Sequence, residues 1–133
     1  MRVLIDTNIF LDLILKRKYS QEALLILNAV EKDILKGVIL DITILNIDYV
    51  AKVQVKDIRD FLLLINSTFQ IVSLSNEEIK QALNMKNNDL EDNFQYICAK
   101  KLKCDTIITN DKTFYSKDLE KMTSYEFVKN ILS

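Results

Sequence analysis

The 133-residue chain contains no histidine and no proline, and it has only one glycine and two cysteines. Without histidine, the chain cannot form an imidazole general base, a Ser-His triad or a His-ligated zinc site. Cys98 and Cys104 are too few and wrongly spaced for a metal knuckle, so we expect reduced, buried thiols in an intracellular protein. Any chemistry must therefore depend on carboxylates, amides, hydroxyls or lysines.

The charges are numerous but almost balanced, with 18 basic and 19 acidic residues. Bulk charge therefore does not indicate a nucleic-acid-binding protein. The apolar N-terminal run is interrupted by Asp6 and Asp12, which excludes a signal peptide or a membrane span there. With 49% apolar residues, the chain can form the core of one domain covering residues 1–133. These features predict a cytoplasmic protein with no membrane contact.

Hydrophobic periodicity predicts short strands that alternate with helices. The predicted strands are residues 2–5, 38–40, 70–74 and 106–109, with a short edge strand near Lys121. The predicted helices are residues 7–16, 21–36, 43–53, 56–66, 76–85, 90–103 and 125–132. Gly37 is expected to end the second helix in the left-handed conformation. Capping boxes at 75–78 and 123–126 mark two helix starts. This order predicts an α/β fold with a parallel sheet between helical layers.

Three aspartates fall at the ends of predicted elements. Asp6 ends the first strand, Asp111 follows the fourth, and Asp92 lies in the first turn of the helix before that strand. In parallel sheets ligands gather beyond the carboxyl ends of the strands. Carboxylates brought together there repel one another unless a cation lies between them, and oxygen ligands suit Mg²⁺ or Mn²⁺. Such a cation can activate water against a phosphodiester. Taken singly, each acid also fits a helix cap, a helix dipole or a turn.

Two longer motifs accompany these acids. Residues 5–12 read IDTNIFLD, and residues 92–99 read DNFQYICA before a segment, 107–114, that reads IITNDKTF. In order and spacing the chain resembles the PIN-domain nucleases, the fold of the VapC-type toxins. The resemblance implies a PIN-like three-layer fold with a central, mostly parallel sheet of four to five short strands and about seven helices. It also implies an Mg²⁺- or Mn²⁺-dependent endoribonuclease, the toxin of a toxin-antitoxin pair.

The resemblance also implies roles for individual residues. Asp6, Asp92 and Asp111 would be the catalytic residues that bind one or two cations, and Asp89 would be an auxiliary acid. Asn8 would hold a ligand in place by hydrogen bonding, as would Thr109. The expected products carry a 5′ phosphate and a 3′ hydroxyl.

One family position differs. The family places an acid early in the helix after the second strand, and residues 42–50, ITILNIDYV, set Asn46 there. Asn46 offers an auxiliary oxygen ligand without charge, so the alternative is a degenerate PIN domain that binds RNA or protein without cutting. Asp48 points to another helix face, and Asp41 lies at the strand exit.

The expected partners are RNA, an antitoxin and a second copy of the chain. The basic residues that could contact RNA phosphates are Lys16, Arg17, Lys18, Lys100 and Lys101, although solvated helix ends are the more ordinary explanation. Two other protein classes rank lower. A receiver domain needs an aspartate at the end of a mid-chain strand, and the segment 72–74 has none. Carboxylate-dependent DNA nucleases carry helical additions that this chain lacks.

Overall fold

The strand Arg2–Ile5 (β1) is the centre of a five-stranded sheet in the computed structural model, which describes residues 1–133. All neighbouring strands are parallel, in the order β3-β2-β1-β4-β5. The other strands are Lys36–Leu40 (β2), Gln70–Val72 (β3), Thr106–Ile108 (β4) and Glu120–Met122 (β5). The predicted parallel α/β fold and its short edge strand are confirmed.

There are seven α-helices, as expected, of which six connect strands and the seventh follows β5. They are Thr7–Ile14 (α1), Ser20–Glu31 (α2), Asp41–Ala51 (α3), Ile58–Thr68 (α4), Asn76–Asn84 (α5), Leu90–Lys101 (α6) and Ser124–Phe127 (α7). Both predicted capping boxes are present, at the starts of α5 and α7. The last predicted helix continues from α7 as a π-helical turn, Val128–Leu132. None of these helices has the length and apolar character needed to cross a bilayer.

Alternating side chains of β1 divide the core into two layers. Val3 and Ile5 belong to a cluster of 20 buried residues, most of them from β1, α1, α2, α3 and α4. Leu4 points to the opposite face and belongs to a cluster of nine buried residues that includes Tyr96 and Cys98 of α6. Both cysteines are free and buried, as predicted. The sheet therefore lies between two helical layers, and α6 is fixed directly above its centre.

The prediction for Gly37 is wrong. The helix α2 already ends at Glu31, and the residue in the left-handed conformation is Asp33, with φ of 61°. Gly37 lies inside β2, where an added Cβ would stand 2.5 Å from the Phe69 ring. The glycine is required because an aromatic ring packs directly on the strand backbone, and not because of its conformational freedom.

Candidate metal and catalytic site

The first site acid is placed by the pairing of β1 with β4. Ile5 lies opposite Ile108, and the Asp6 backbone N–H donates to the Ile108 carbonyl at 3.0 Å. The Asp6 carboxylate is 2% exposed and accepts hydrogen bonds from Gln95 Nε2 (3.0 Å) and Thr109 Oγ1 (2.9 Å). Although Asp6 precedes α1, its side chain makes no capping hydrogen bond. The simple cap interpretation therefore fails for Asp6.

Three further acids meet at the start of α6. Asp89, Asp92 and Asp111 can each place a carboxylate oxygen within 4.8 Å of the others. Asp89 is the N-cap of α6 and accepts the Asp92 backbone N–H at 3.1 Å. Asp111 accepts the backbone and hydroxyl hydrogens of Thr113, so it also shapes a turn. Asp6 stands outside this compact trio but interacts electrostatically with Asp92.

The pKa of Asp92 is raised by its burial and by the carboxylates around it. Burial, followed by repulsion from the neighbouring carboxylates, raises the pKa of Asp92 from 3.8 to about 7. Burial also raises the pKa of Asp6, against the opposing hydrogen bonds from Gln95 and Thr109. The hydrogen bonds from Thr113, in contrast, lower the pKa of Asp111. A divalent cation would relieve the repulsion, and a set of oxygen ligands without nitrogen or sulfur fits Mg²⁺ or Mn²⁺.

Glu91 is the residue that sequence reasoning left without a role. Its Oε2 accepts hydrogen bonds from Thr7 Oγ1, at 3.0 Å, and from Asn46 Nδ2. Its charge contributes to the raised pKa values of Asp6 and Asp92. Asn46 therefore turns its NH₂ group toward Glu91. The Glu91 carboxylate, on α6, lies beside Asn46, which is the position on α3 where the family has an acid. The only sequence signal was the adjacency of Glu91 to Asp92.

The two other acids near Asn46 do not replace its missing charge. Asp41 accepts the Ser73 hydroxyl at 2.7 Å and its neighbour's backbone N–H, beyond β2. Asp48 lines a separate cleft between α3 and α4 with Arg59.

Thr109 connects two of the predicted ligands. Its hydroxyl donates to Asp6 and accepts the Asp111 backbone N–H at 3.1 Å. Asn8, which was expected to act in the same way, is exposed on α1 and makes no hydrogen bond to Asp6. Gln95 is at the Asp6 carboxylate instead, because the pitch of α6 brings position 95 one turn after Asp92 onto the same face.

A second polar network fixes the loop that carries Asp111. Asn110 Nδ2 donates to Asp12 Oδ2 (3.0 Å) and Ser124 Oγ (3.1 Å), while its Oδ1 accepts the Ser124 backbone N–H (2.9 Å). Asp12 is 9% exposed, and burial raises its pKa. Asn110 thus joins α1, the end of β4 and α7, and it holds the adjacent Asp111 in position.

The predicted basic residues divide into two groups. Lys16 and Lys18 are exposed after α1 and form no ion pair, whereas exposed Arg17 pairs with Asp12 at 3.8 Å. Lys100 instead pairs with Asp118, and Lys101 pairs with Glu78 at 3.0 Å. Lys100 and Lys101 are therefore held in intramolecular ion pairs, and their contact with RNA stays a prediction.

Comparison with known proteins gives the family. The profile described as PIN domain matches residues 2–113. The chain belongs to the PIN-domain family. It is 33% identical over 135 residues to Ribonuclease VapC1 of Aquifex aeolicus (strain VF5), an alignment covering 95% of this chain and 92% of the relative.

Solved structures share the fold of this PIN-domain protein. A toxin-antitoxin complex from Klebsiella pneumoniae superimposes with a TM-score of 0.69 at 25% identity, covering 92% of this chain and 98% of the other. VapBC2 from Rickettsia felis, bound to a DNA fragment from its promoter, gives a TM-score of 0.64 at 18% identity, with the same coverages. The PIN-like three-layer fold expected from the sequence is confirmed.

Proposed function

We propose that the protein is a metal-dependent endoribonuclease that hydrolyses RNA phosphodiesters. The observation that carries this proposal is the carboxylate cluster at the sheet edge, where burial and then repulsion between carboxylates raise the pKa of Asp92 to about 7. The similarity to a relative named a ribonuclease supports RNA as the substrate.

Asp6, Asp92 and Asp111 would hold the cation, with Asp89 beside them. When bound, Mg²⁺ or Mn²⁺ supplies an activated water and neutralises charge on the phosphodiester. The chain's own residues prepare the site before any substrate arrives. Thr109 fixes the Asp6 carboxylate relative to the Asp111 backbone by two hydrogen bonds. These bonds hold the carboxylates in position beforehand, so the side chains need not move during the reaction.

Glu91 provides the negative charge that Asn46 does not. Asn46 and Thr7 both donate to one oxygen of Glu91, which orients the carboxylate near Asp6 and Asp92. The charge of the family's acid is thus moved from α3 to α6 and remains in the site. This arrangement favours an active nuclease over the degenerate alternative.

The test is cleavage of a mixed RNA pool in Mn²⁺, Mg²⁺ or EDTA. Wild-type protein should cut only with metal, and Asp6→Asn and Asp92→Asn should each lose at least about a hundredfold in rate, typical for a lost metal-site interaction. Asp60→Asn, an exposed acid on α4, is the matched control and should cut normally. Equal cutting by the wild type and Asp6→Asn would contradict the proposal.

The role of Glu91 has a separate test. Glu91→Gln should weaken Mn²⁺ binding measured by calorimetry, and the double variant Asn46→Glu with Glu91→Gln should restore it, because the charge returns to α3. If Glu91→Gln binds Mn²⁺ and cuts RNA like the wild type, Glu91 has only a structural role. If only proteins carrying Asn46→Glu bind metal and cut, the degenerate interpretation is correct.

We further propose that the protein is a toxin neutralised by an antitoxin protein. The solved structures that it resembles include toxin-antitoxin complexes. Large apolar side chains are also exposed on α3 and α4, among them Leu45 (69%), Tyr49 (76%) and Leu63 (65%). A small open reading frame next to its gene should encode a protein that copurifies with it and stops cleavage. The homodimer, the cytoplasmic location and the single domain over 1–133 remain predictions.

A further inference from the structure

A polar groove with two tyrosines lies beside the carboxylate cluster. Its main cavity, of about 670 Å³, is bounded by the α1–α2 turn, the loop after β4 and the start of α7. We call it the tyrosine groove, and its defining residues are Lys18, Tyr19, Asn110, Lys112 and Tyr125.

The tyrosine groove lies next to the carboxylate site. A second cavity, of about 240 Å³, is lined by Thr109 and Asp111, and it shares Lys112, Thr123 and Glu126 with the larger one. The two cavities are therefore adjacent, one at the loop that carries Asp111 and the other at the two tyrosines. Asn110 and Asp111 are neighbours in the chain, so the same loop lines both cavities.

The side chains of the groove suit a nucleotide better than an apolar ligand. Tyr125 is 53% exposed, although an aromatic ring normally gains from burial. Tyr19 is half-buried, and Lys18 Nζ lies over its ring, 5.3 Å from the ring centre, so a cation stands beside this aromatic ring. Exposed aromatic rings with nearby cations are the features with which proteins bind unpaired bases and their phosphates.

The groove also has a rigid floor and a balanced charge. Asn110 is held by Asp12 and Ser124, so it cannot swing away when a ligand enters. Glu126 faces the groove, but its carboxylate accepts the Thr123 backbone N–H at 2.9 Å in the capping box. That hydrogen bond and nearby Lys112 lower the pKa of Glu126, so its carboxylate stays ionised. Lys18 and Lys112 balance the charges of Glu22 and Glu126 in the lining of the groove. Lys112 stands between the two cavities, where it can meet a phosphate.

We propose that the tyrosine groove binds unpaired nucleotides of the RNA substrate next to the scissile phosphate. Bases stack on Tyr19 and Tyr125, and Lys112 contacts the intervening phosphate. This inference rests on the proposed ribonuclease function and adds to it a subsite that requires single-stranded RNA.

The experiment compares alanine variants of the two groove tyrosines, which lose the aromatic ring, with phenylalanine variants, which keep it. The probes are a short fluorescein-labelled RNA pool of random sequence and the same RNA annealed to its complement. Binding is measured by fluorescence anisotropy in EDTA, which prevents metal-dependent cutting, and cleavage is measured in Mn²⁺. The variants are Tyr19→Ala, Tyr125→Ala and the corresponding phenylalanine variants. Leu83→Ala is the control, because Leu83 is a 61% exposed side chain on α5, outside both the groove and the proposed antitoxin face.

Each alanine variant should bind single-stranded RNA about tenfold more weakly, as expected for one lost base stack. KM should rise while kcat stays close to the wild-type value, and the phenylalanine variants and Leu83→Ala should behave like the wild type. The duplex should bind more weakly than the single strand. Circular dichroism and thermal unfolding will show that each variant is folded.

Other outcomes separate this inference from the proposed function. If the wild type cuts RNA and the alanine variants bind and cut equally well, the groove proposal is wrong and the ribonuclease proposal stands. If the wild type cuts nothing but shows tyrosine-dependent RNA binding, the groove proposal stands and the nuclease proposal fails. If the alanine variants lose only antitoxin binding, the groove is a protein interface and the proposal is overturned.

Discussion

Replacing Asp92 with asparagine should stabilise the metal-free protein while it abolishes function. The Asp92 carboxylate is 6% exposed, accepts no hydrogen bond from another side chain, and has a pKa of about 7 in the folded protein against an ordinary 3.8. Above pH 7 the folded protein therefore contains a buried, repelled charge that the unfolded chain exposes to water. An amide of nearly the same shape removes that charge.

The pKa values give both the size and the sign of the effect. Between about pH 4 and pH 7 the folded protein keeps a proton on Asp92 that the unfolded chain has lost, so the free energy of unfolding falls as pH rises. Above pH 7 this contribution is constant. Each pH unit is worth about 1.36 kcal/mol, which sets an upper limit of about 4 kcal/mol. Because exposed Asp89 lets water approach one side of the cluster, we expect about 2 kcal/mol, or roughly 8 °C in Tm at pH 8.

The assay is thermal unfolding from pH 4 to pH 8, in EDTA and in Mn²⁺. Asp92→Asn should unfold at a higher temperature than the wild type at pH 8 in EDTA and should show a flatter pH dependence. Saturating Mn²⁺, at about a hundred times Kd, should add about 2.7 kcal/mol to the wild type and much less to the variant. Asp60→Asn is the control for the loss of one exposed carboxylate. A variant that is no more stable than the wild type at pH 8 would refute the reasoning.

Three further predictions concern the fold, the Asp111 loop and the partner surface. Gly37→Ala should lower the free energy of unfolding by about 2 kcal/mol in a denaturant titration, because its Cβ would collide with the Phe69 ring; an unchanged midpoint would contradict this. Asp12→Ala should reduce cleavage with little loss of Mn²⁺ affinity, since it removes one of the hydrogen bonds that fix Asn110 and leaves the proposed metal ligands in place; wild-type cleavage would disprove that role. Leu63→Glu should weaken antitoxin binding in a copurification assay without changing cleavage by the free protein, and unchanged binding would exclude this face.

The acids at the strand ends could be predicted because a parallel sheet places all its carboxyl ends at one edge. Asp6 and Asp111 follow β1 and β4, which are neighbours, and Asp92 opens the helix above them. The role of Glu91 could not be predicted in the same way. Which of two adjacent acids on a helix turns toward Asn46 depends on how α6 packs against α3, and no local pattern encodes that packing.

The positions of Asn8 and Gly37 also depend on tertiary packing that the local sequence does not encode. Asn8 follows the family motif, but the orientation of α1 exposes it, and Gln95 from a distant helix makes the expected hydrogen bond. A glycine near a helix end fits a helix cap or a close contact equally well, and the contact with Phe69 decides between them only in three dimensions.

The most direct test of the central claim is the chemistry of the RNA ends that wild-type protein produces with Mn²⁺. If a water activated at the carboxylate site attacks the phosphodiester, the products carry 5′ phosphates and 3′ hydroxyls, and EDTA abolishes them. Primer ligation and mass spectrometry distinguish these ends unambiguously. Products with 2′,3′-cyclic phosphates and 5′ hydroxyls, formed equally in EDTA, would show that the RNA's own 2′ hydroxyl is the nucleophile and would contradict the account.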